Sequence, residues 1–175
     1  MTDLVDQARA LLATTPDRWR ALARAADPDL LRRPPAPGEW SALECFQHLL
    51  DTEEDVFPVR VRAFLAGEDF PGFDPDREST PVGEAVDAEA MVERFARARA
   101  RTLDLLAELL GGDLDRTSIH AELGQVTLEE MLHEWVAHDL CHTVQAERAL
   151  MQPFIAGSGP WRMFFVDHDV EAPRG

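Results

Sequence analysis

Six histidines, His48, His120, His133, His138, His142 and His168, supply the chain's coordinating nitrogen. His138 and His142 stand four apart in a segment with helical patterning. At about 100° per residue they project only about 40° apart, one turn above the other, an arrangement in which two imidazoles can share one metal ion. His133 lies about 140° and 180° from them and cannot join that site. A third ligand must come from elsewhere, and His48, midway along an earlier helical segment, is the best placed. Ser41, Glu44, Thr52 and Asp55 lie near its face, while Leu43, Phe46, Leu50 and Phe57 lie opposite. That pattern fits a solvated face as well as a polar cleft, so periodicity alone leaves open both the third ligand and a reading of the pair as ordinary core histidines. A mixed Cys/His site is conceivable from Cys45 and Cys141. Cys141 points about 60° and 100° away from the two helical histidines, which favours small buried core residues for both.

Other side chains near the histidines have double readings. Gln145, about 20° and 60° from His138 and His142, can hold a ligand or substrate or be a buried amide satisfied by backbone. Glu44, one turn before His48, can orient it or act as a base, although its place in a helix cap accounts for it fully. Trp135, with Met131 and Ala149, gives the His138 face the look of pocket lining. Several sharper motifs fail on spacing. His133-Glu134-Trp135-Val136-Ala137-His138 is one residue too long for the His-Glu-x-x-His protease helix. Glu130-Met131-Leu132-His133 has the Glu-x-x-His spacing of di-iron bundles but no second copy. The His138-Asp139 doublet of metal phosphohydrolases would leave His142 idle.

Four long segments must position these groups. The first, about Leu4 to Ala26, offers a kink or split at Thr15-Pro16-Asp17. The second opens on the capping box Ser41-Ala42-Leu43-Glu44 and is expected to reach about Leu65, bent at Pro58. Residues 67–83 hold three prolines and three glycines and read as a loop that covers something. The third helix is expected over about Glu84 to Leu110, stopped by Gly111-Gly112. A second capping box, Thr127-Leu128-Glu129-Glu130, starts the fourth, expected to end near Met151 with Pro153 beyond it. The tail 152–175, with Trp161, Phe164 and Phe165, is expected to pack back on the helices. With no credible strand, the pattern predicts an all-α four-helix bundle, a fold that builds sites in its core from facing helices.

The length of 175 residues suits one domain, 1–175, and 45% hydrophobic with 29% charged residues excludes wholesale disorder. Seventeen basic against 33 acidic residues give −16, which argues against nucleic acid and anionic membrane as partners. No apolar run approaches the roughly 20 residues of a spanning helix. An acidic start and two cysteines complete the expectation of a cytoplasmic protein.

Gly38-Glu39-Trp40-Ser41, Glu44, His48-Leu49, Thr127-Leu128 and His138-Asp139-x-x-His142-x-x-Gln145 together resemble the DinB superfamily of bacterial four-helix proteins, which has YfiT-like members. The resemblance covers nearly the whole chain. It implies a metal site at His48, His138 and His142, homodimerisation, and a metal-dependent activity such as transfer of a low-molecular-weight thiol to a small electrophile. A hydrolase of a small substrate and a non-catalytic metal- or ligand-binding stress-response protein are the alternatives. Three imidazoles suit zinc or nickel and leave a coordination position open.

Overall fold

The computed structural model describes residues 3–74, 81–83 and 85–172. Helix α1 (Leu4–Leu12) is followed after two residues by α2 (Thr15–Ala25), whose second residue is Pro16. The first expected helix is therefore split where the proline removes a backbone donor. A short α3 (Pro28–Arg32) follows, with the Asp27 side chain accepting from the Asp29 amide at 2.8 Å. Helix α4 (Ala42–Asp55) begins on the expected capping box, Ser41 Oγ accepting from the Glu44 amide and Glu44 Oε2 from the Ser41 amide.

The bend expected at Pro58 is a complete break. Val56 adopts φ −115° and ψ −71°, and Pro58 sits in the first turn of a new helix, α5 (Phe57–Ala66), where its missing N–H has no partner to lose. Gly67 ends α5 at φ 72°, a left-handed conformation that a side chain would strain. Helix α6 (Ala88–Ala107) starts later than expected because Asp87 caps the Glu89 and Ala90 amides, and it ends before the expected Leu110. Helix α7 (Leu128–Gly157) starts on the Thr127/Glu130 capping box and runs past Pro153, contrary to the expected end near Met151. Gln152 Nε2 donates to the Arg148 carbonyl one turn earlier.

Two further expectations fail. Residues 117–127 form an antiparallel hairpin, β1 (Thr117–His120) against β2 (Gly124–Thr127), where no strand was expected. Strands of four residues carry too little alternation to be read from sequence. In the tail, a 3-10 stretch (Gly159–Phe165) does return to α7, but through polar contacts. Arg148 Nε and Gln152 Nε2 donate to the His168 carbonyl, and the Val170 amide donates to Gln152 Oε1. The rings that were expected to drive the packing face outward, Trp161 at 66% and Phe164 at 72% exposure.

The four-helix bundle is built from α1–α2, α4–α5, α6 and α7, with α4 packed against both α6 and α7. One buried cluster gathers Trp19, Leu43, Phe46, Leu50 and Phe95, and another Phe57, Phe64, Leu106, Leu132 and Trp135. Between the helices lies a buried polar knot. Arg99 of α6, 1% exposed, donates to Asp139 of α7 at 2.6 Å and to the Leu12 carbonyl at 2.7 Å, and pairs with Glu53 of α4 at 2.9 Å. Among the described residues, no helix is long and apolar enough to cross a membrane.

Candidate metal centre

His48 reaches the bundle interior from the middle of α4, where the packing of α4 on α7 sets it opposite His138 and His142. One ring nitrogen from each of the three histidines lies within 4.8 Å of the others. His48 Nε2 and His138 Nε2 are 3.0 Å apart, and ring centroids are separated by 4.4 to 5.0 Å. Nitrogen ligands around a tetrahedral ion with bonds of about 2.0–2.1 Å stand roughly 3.4 Å apart, so this spacing fits one ion. The donor chemistry fits as well, since three imidazoles suit zinc and nickel.

Each ring is held by different neighbours. Gln145 Oε1 accepts from His142 Nδ1 at 2.8 Å, which leaves His142 Nε2 as that ring's coordinating atom. Trp40 stacks on His142 at 5.6 Å and lies 4.9 Å from His48. Phe57 meets His138 edge-on at 5.2 Å, and Phe73 stands 6.1 Å from His48. His138 Nδ1 is buried with no hydrogen-bond partner among the described residues.

Burial also sets protonation. Desolvation first, then the neighbouring His142, pushes His48 down to about 4. The same causes, with His48, Arg60 and Arg99 added, push His138 down to about 3. Desolvation lowers His142 too, opposed by its bond to Gln145. All three rings are therefore neutral at pH 7, the state that coordination requires.

The remaining sequence candidates fall elsewhere. Glu44 is occupied in the α4 cap, as its spacing suggested, and does not join the triad. Trp135 does not line the pocket as expected. It is 1% exposed and stacked on Phe57 at 4.6 Å and 7°, holding in place the ring that touches His138. Asp139 is buried, accepting from Arg99 and from Thr15 Oγ1. Cys45 is buried, its thiol pushed up to about 12 mainly by desolvation, whereas Cys141 is exposed and not the core residue expected. His133 is exposed, outside the triad.

The triad opens into a cavity of about 460 Å³. Its walls include Trp40, Phe57, Phe73, Arg60 and His120, of which the last three had no sequence signal as site residues. The loop after α5 does cover something. Ser118 Oγ donates to the Glu68 carbonyl, Asp69 Oδ1 accepts from the Ile119 amide, and the Phe70 amide donates to the Ile119 carbonyl. These bonds strap residues 68–70 to β1 and bring Phe70 and Phe73 over the cavity. Residues 75–80 of the expected loop lie outside the described residues.

Fold and site together define a four-helix bundle with a histidine triad in its core. The chain belongs to the DinB superfamily, whose family model matches residues 11–146. Among solved structures it is similar to YfiT from Bacillus subtilis, described as a probable metal-dependent hydrolase with an unusual four-helix bundle topology. That match has 19% identity and a TM-score of 0.67 over 85% of this chain and 87% of that one. It is also similar to TT2238, a four-helix bundle protein, at 24% identity and a TM-score of 0.58 over 81% and 98% of the two chains. A DinB-like protein of Bacillus subtilis, YjoA, matches at 18% identity and a TM-score of 0.55 over 82% and 90%. No curated protein sequence matches the chain.

Proposed function

We propose that the chain is a metal-dependent enzyme in which His48, His138 and His142 hold one divalent ion, zinc or nickel, and the adjoining cavity takes a small electrophile. The observation that carries this reading is the opening of three convergent neutral imidazoles into a largely apolar cavity of about 460 Å³. A divalent ion bound there supplies Lewis acidity that acidifies an incoming thiol or water. Gln145 fixes the His142 ring through Nδ1, while Trp40 and Phe57 pack on the His142 and His138 rings. We favour thiol transfer, in which the sulfur of a low-molecular-weight thiol replaces a leaving group on the electrophile and the leaving group departs with the proton. Glu44 and Asp139, the carboxylates beside the triad in sequence, are both committed to other partners.

Hydrolysis is the second reading, favoured by the description of YfiT and by Glu134. This carboxylate lines the cavity, and desolvation raises its pKa against the pull of Arg60, which makes it the candidate base for water. The test is metal analysis of untagged protein, followed by parallel assays of one electrophile with and without added thiol. Turnover that needs both metal and thiol supports transfer; metal-dependent turnover without thiol supports hydrolysis. Absence of stoichiometric metal from protein purified in zinc or nickel would overturn both.

A further inference from the structure

A second polar group lines the same cavity. Arg60 lies on α5 one turn after Phe57, whose ring touches His138, a rise of about 4.5 Å. Its half-buried guanidinium sits 5.3 Å above the Phe70 ring. Among the described residues Arg60 forms no ion pair or hydrogen bond, and Glu134 and Glu122 act on it only at longer range. Desolvation opposes its charge, and a partly buried cation without a direct counter-ion is costly.

Phe70 also meets His120 edge-on, 5.7 Å away, and His120 is 8% exposed. Its Nδ1 accepts from the Glu122 and Leu123 amides at 3.1 and 3.3 Å, so its proton sits on Nε2 as a donor. Gly72 packs closely here. A Cβ at that position would come 3.1 Å from Glu122 Oε1 and 3.4 Å from His120 Cε1. The cavity's walls are largely apolar in area, and its lining also includes the exposed Glu122, Glu130 and Glu134.

We propose that this cavity binds a small amphipathic carboxylate, its head received by Arg60 and its apolar body along Phe57 and Phe70. One guanidinium against three nearby glutamates suits a monoanion better than a dianion. Binding itself does not depend on the metal reading; only the fate of the bound molecule rests on it.

Calorimetry on chelated and zinc-loaded protein, using 3-phenylpropionate, 3-phenylpropionamide, 3-phenylpropylamine and 2-phenylethylphosphonate, tests this. In chelated protein the carboxylate is expected to bind about tenfold or more tighter than the amide. Arg60→Gln should erase that preference with amide binding unchanged, and Arg60→Lys should keep part of it. Added salt should weaken the carboxylate and not the amide, a check on wild-type protein that does not require the variants to fold. No preference in chelated wild type, a preference that survives Arg60→Gln or added salt, or tighter binding of the amine or the phosphonate would each overturn the proposal. Failure of zinc to bind while the preference persists would overturn the metal reading alone.

Discussion

His48, His138 and His142 differ in what steadies them, and the consequences differ residue by residue. Replacing any one with Ala removes a ligand from the triad and should reduce bound metal in untagged protein from about one ion per chain to well below it. His133→Ala, on an exposed position of α7, should leave the content unchanged, as elemental analysis of all four variants would show. Gln145 is the more informative position because it touches His142 without belonging to the triad. Gln145→Ala should weaken zinc binding about 10- to 100-fold in a competition titration by freeing the ring, while Gln145→Glu, which keeps an acceptor for Nδ1–H, should retain most of the affinity.

The helices are located by their ends and tied together by Arg99. Both capping boxes satisfy amides that would otherwise be unpaired, so Ser41→Ala at the start of α4 should cost about 1 kcal/mol, read by denaturant unfolding. Arg99 carries a larger burden. Its guanidinium answers Asp139 on α7 and Glu53 on α4, and burial already pushes the Glu53 carboxyl up against the pull of Arg99. Arg99→Met would strand both carboxylates and should cost about 3–5 kcal/mol. At about 2–4 °C per kcal/mol for a chain of this size, melting should drop roughly 6–20 °C. Adding Glu53→Gln to Arg99→Met should recover part of that loss, because the cost lies in uncompensated charge; a double variant less stable than the single one would contradict this account.

For the molecule as a whole, pH acts through opposing groups. An imidazole whose folded pKa of about 4 or 3 lies below its unfolded value of 6.5 is neutral when folded and charged when unfolded between those limits. The unfolded chain then binds more protons, so this stability is fully present above about 6.5 and is lost as pH falls toward 4 and 3. Glu53, with its pKa raised, acts in the other sense, gaining stability as pH falls. Relief of repulsion among 33 acidic residues also favours the folded state in acid. The histidine contribution is isolated by comparison. The drop in melting temperature of chelated protein from pH 7 to pH 5 should be smaller in a His48→Gln/His138→Gln variant than in wild type, and equal drops would mean that the rings are not buried neutral.

Capping boxes, prolines and the i, i+4 histidine pair were legible in the sequence because each depends on neighbours within one helical turn. Thus α4 and α7 start where Ser41 and Thr127 indicate, and Pro16 divides the first helix. Local reading failed where distant partners decide. Pro153 stays inside α7, where Arg148 and Gln152 just before it bond to the tail, and the hairpin at 117–127 is held partly by the strap from residues 68–70. Trp161 and Phe164 face outward because polar bonds from Arg148 and Gln152, not apolar burial, dock the tail. At the site, sequence spacing placed His138 beside His142 but could not tell whether the polar face of His48 met water or another helix. That was decided by the packing of α4 on α7, which set His48 Nε2 3.0 Å from His138 Nε2. Arg60 and His120 gave no local signal at all, since the place of each beside Phe70 depends on a strap and a hairpin about 50 residues apart. Periodicity fixes the face of a helix on which a side chain lies, and only the contacts between helices fix what that face meets.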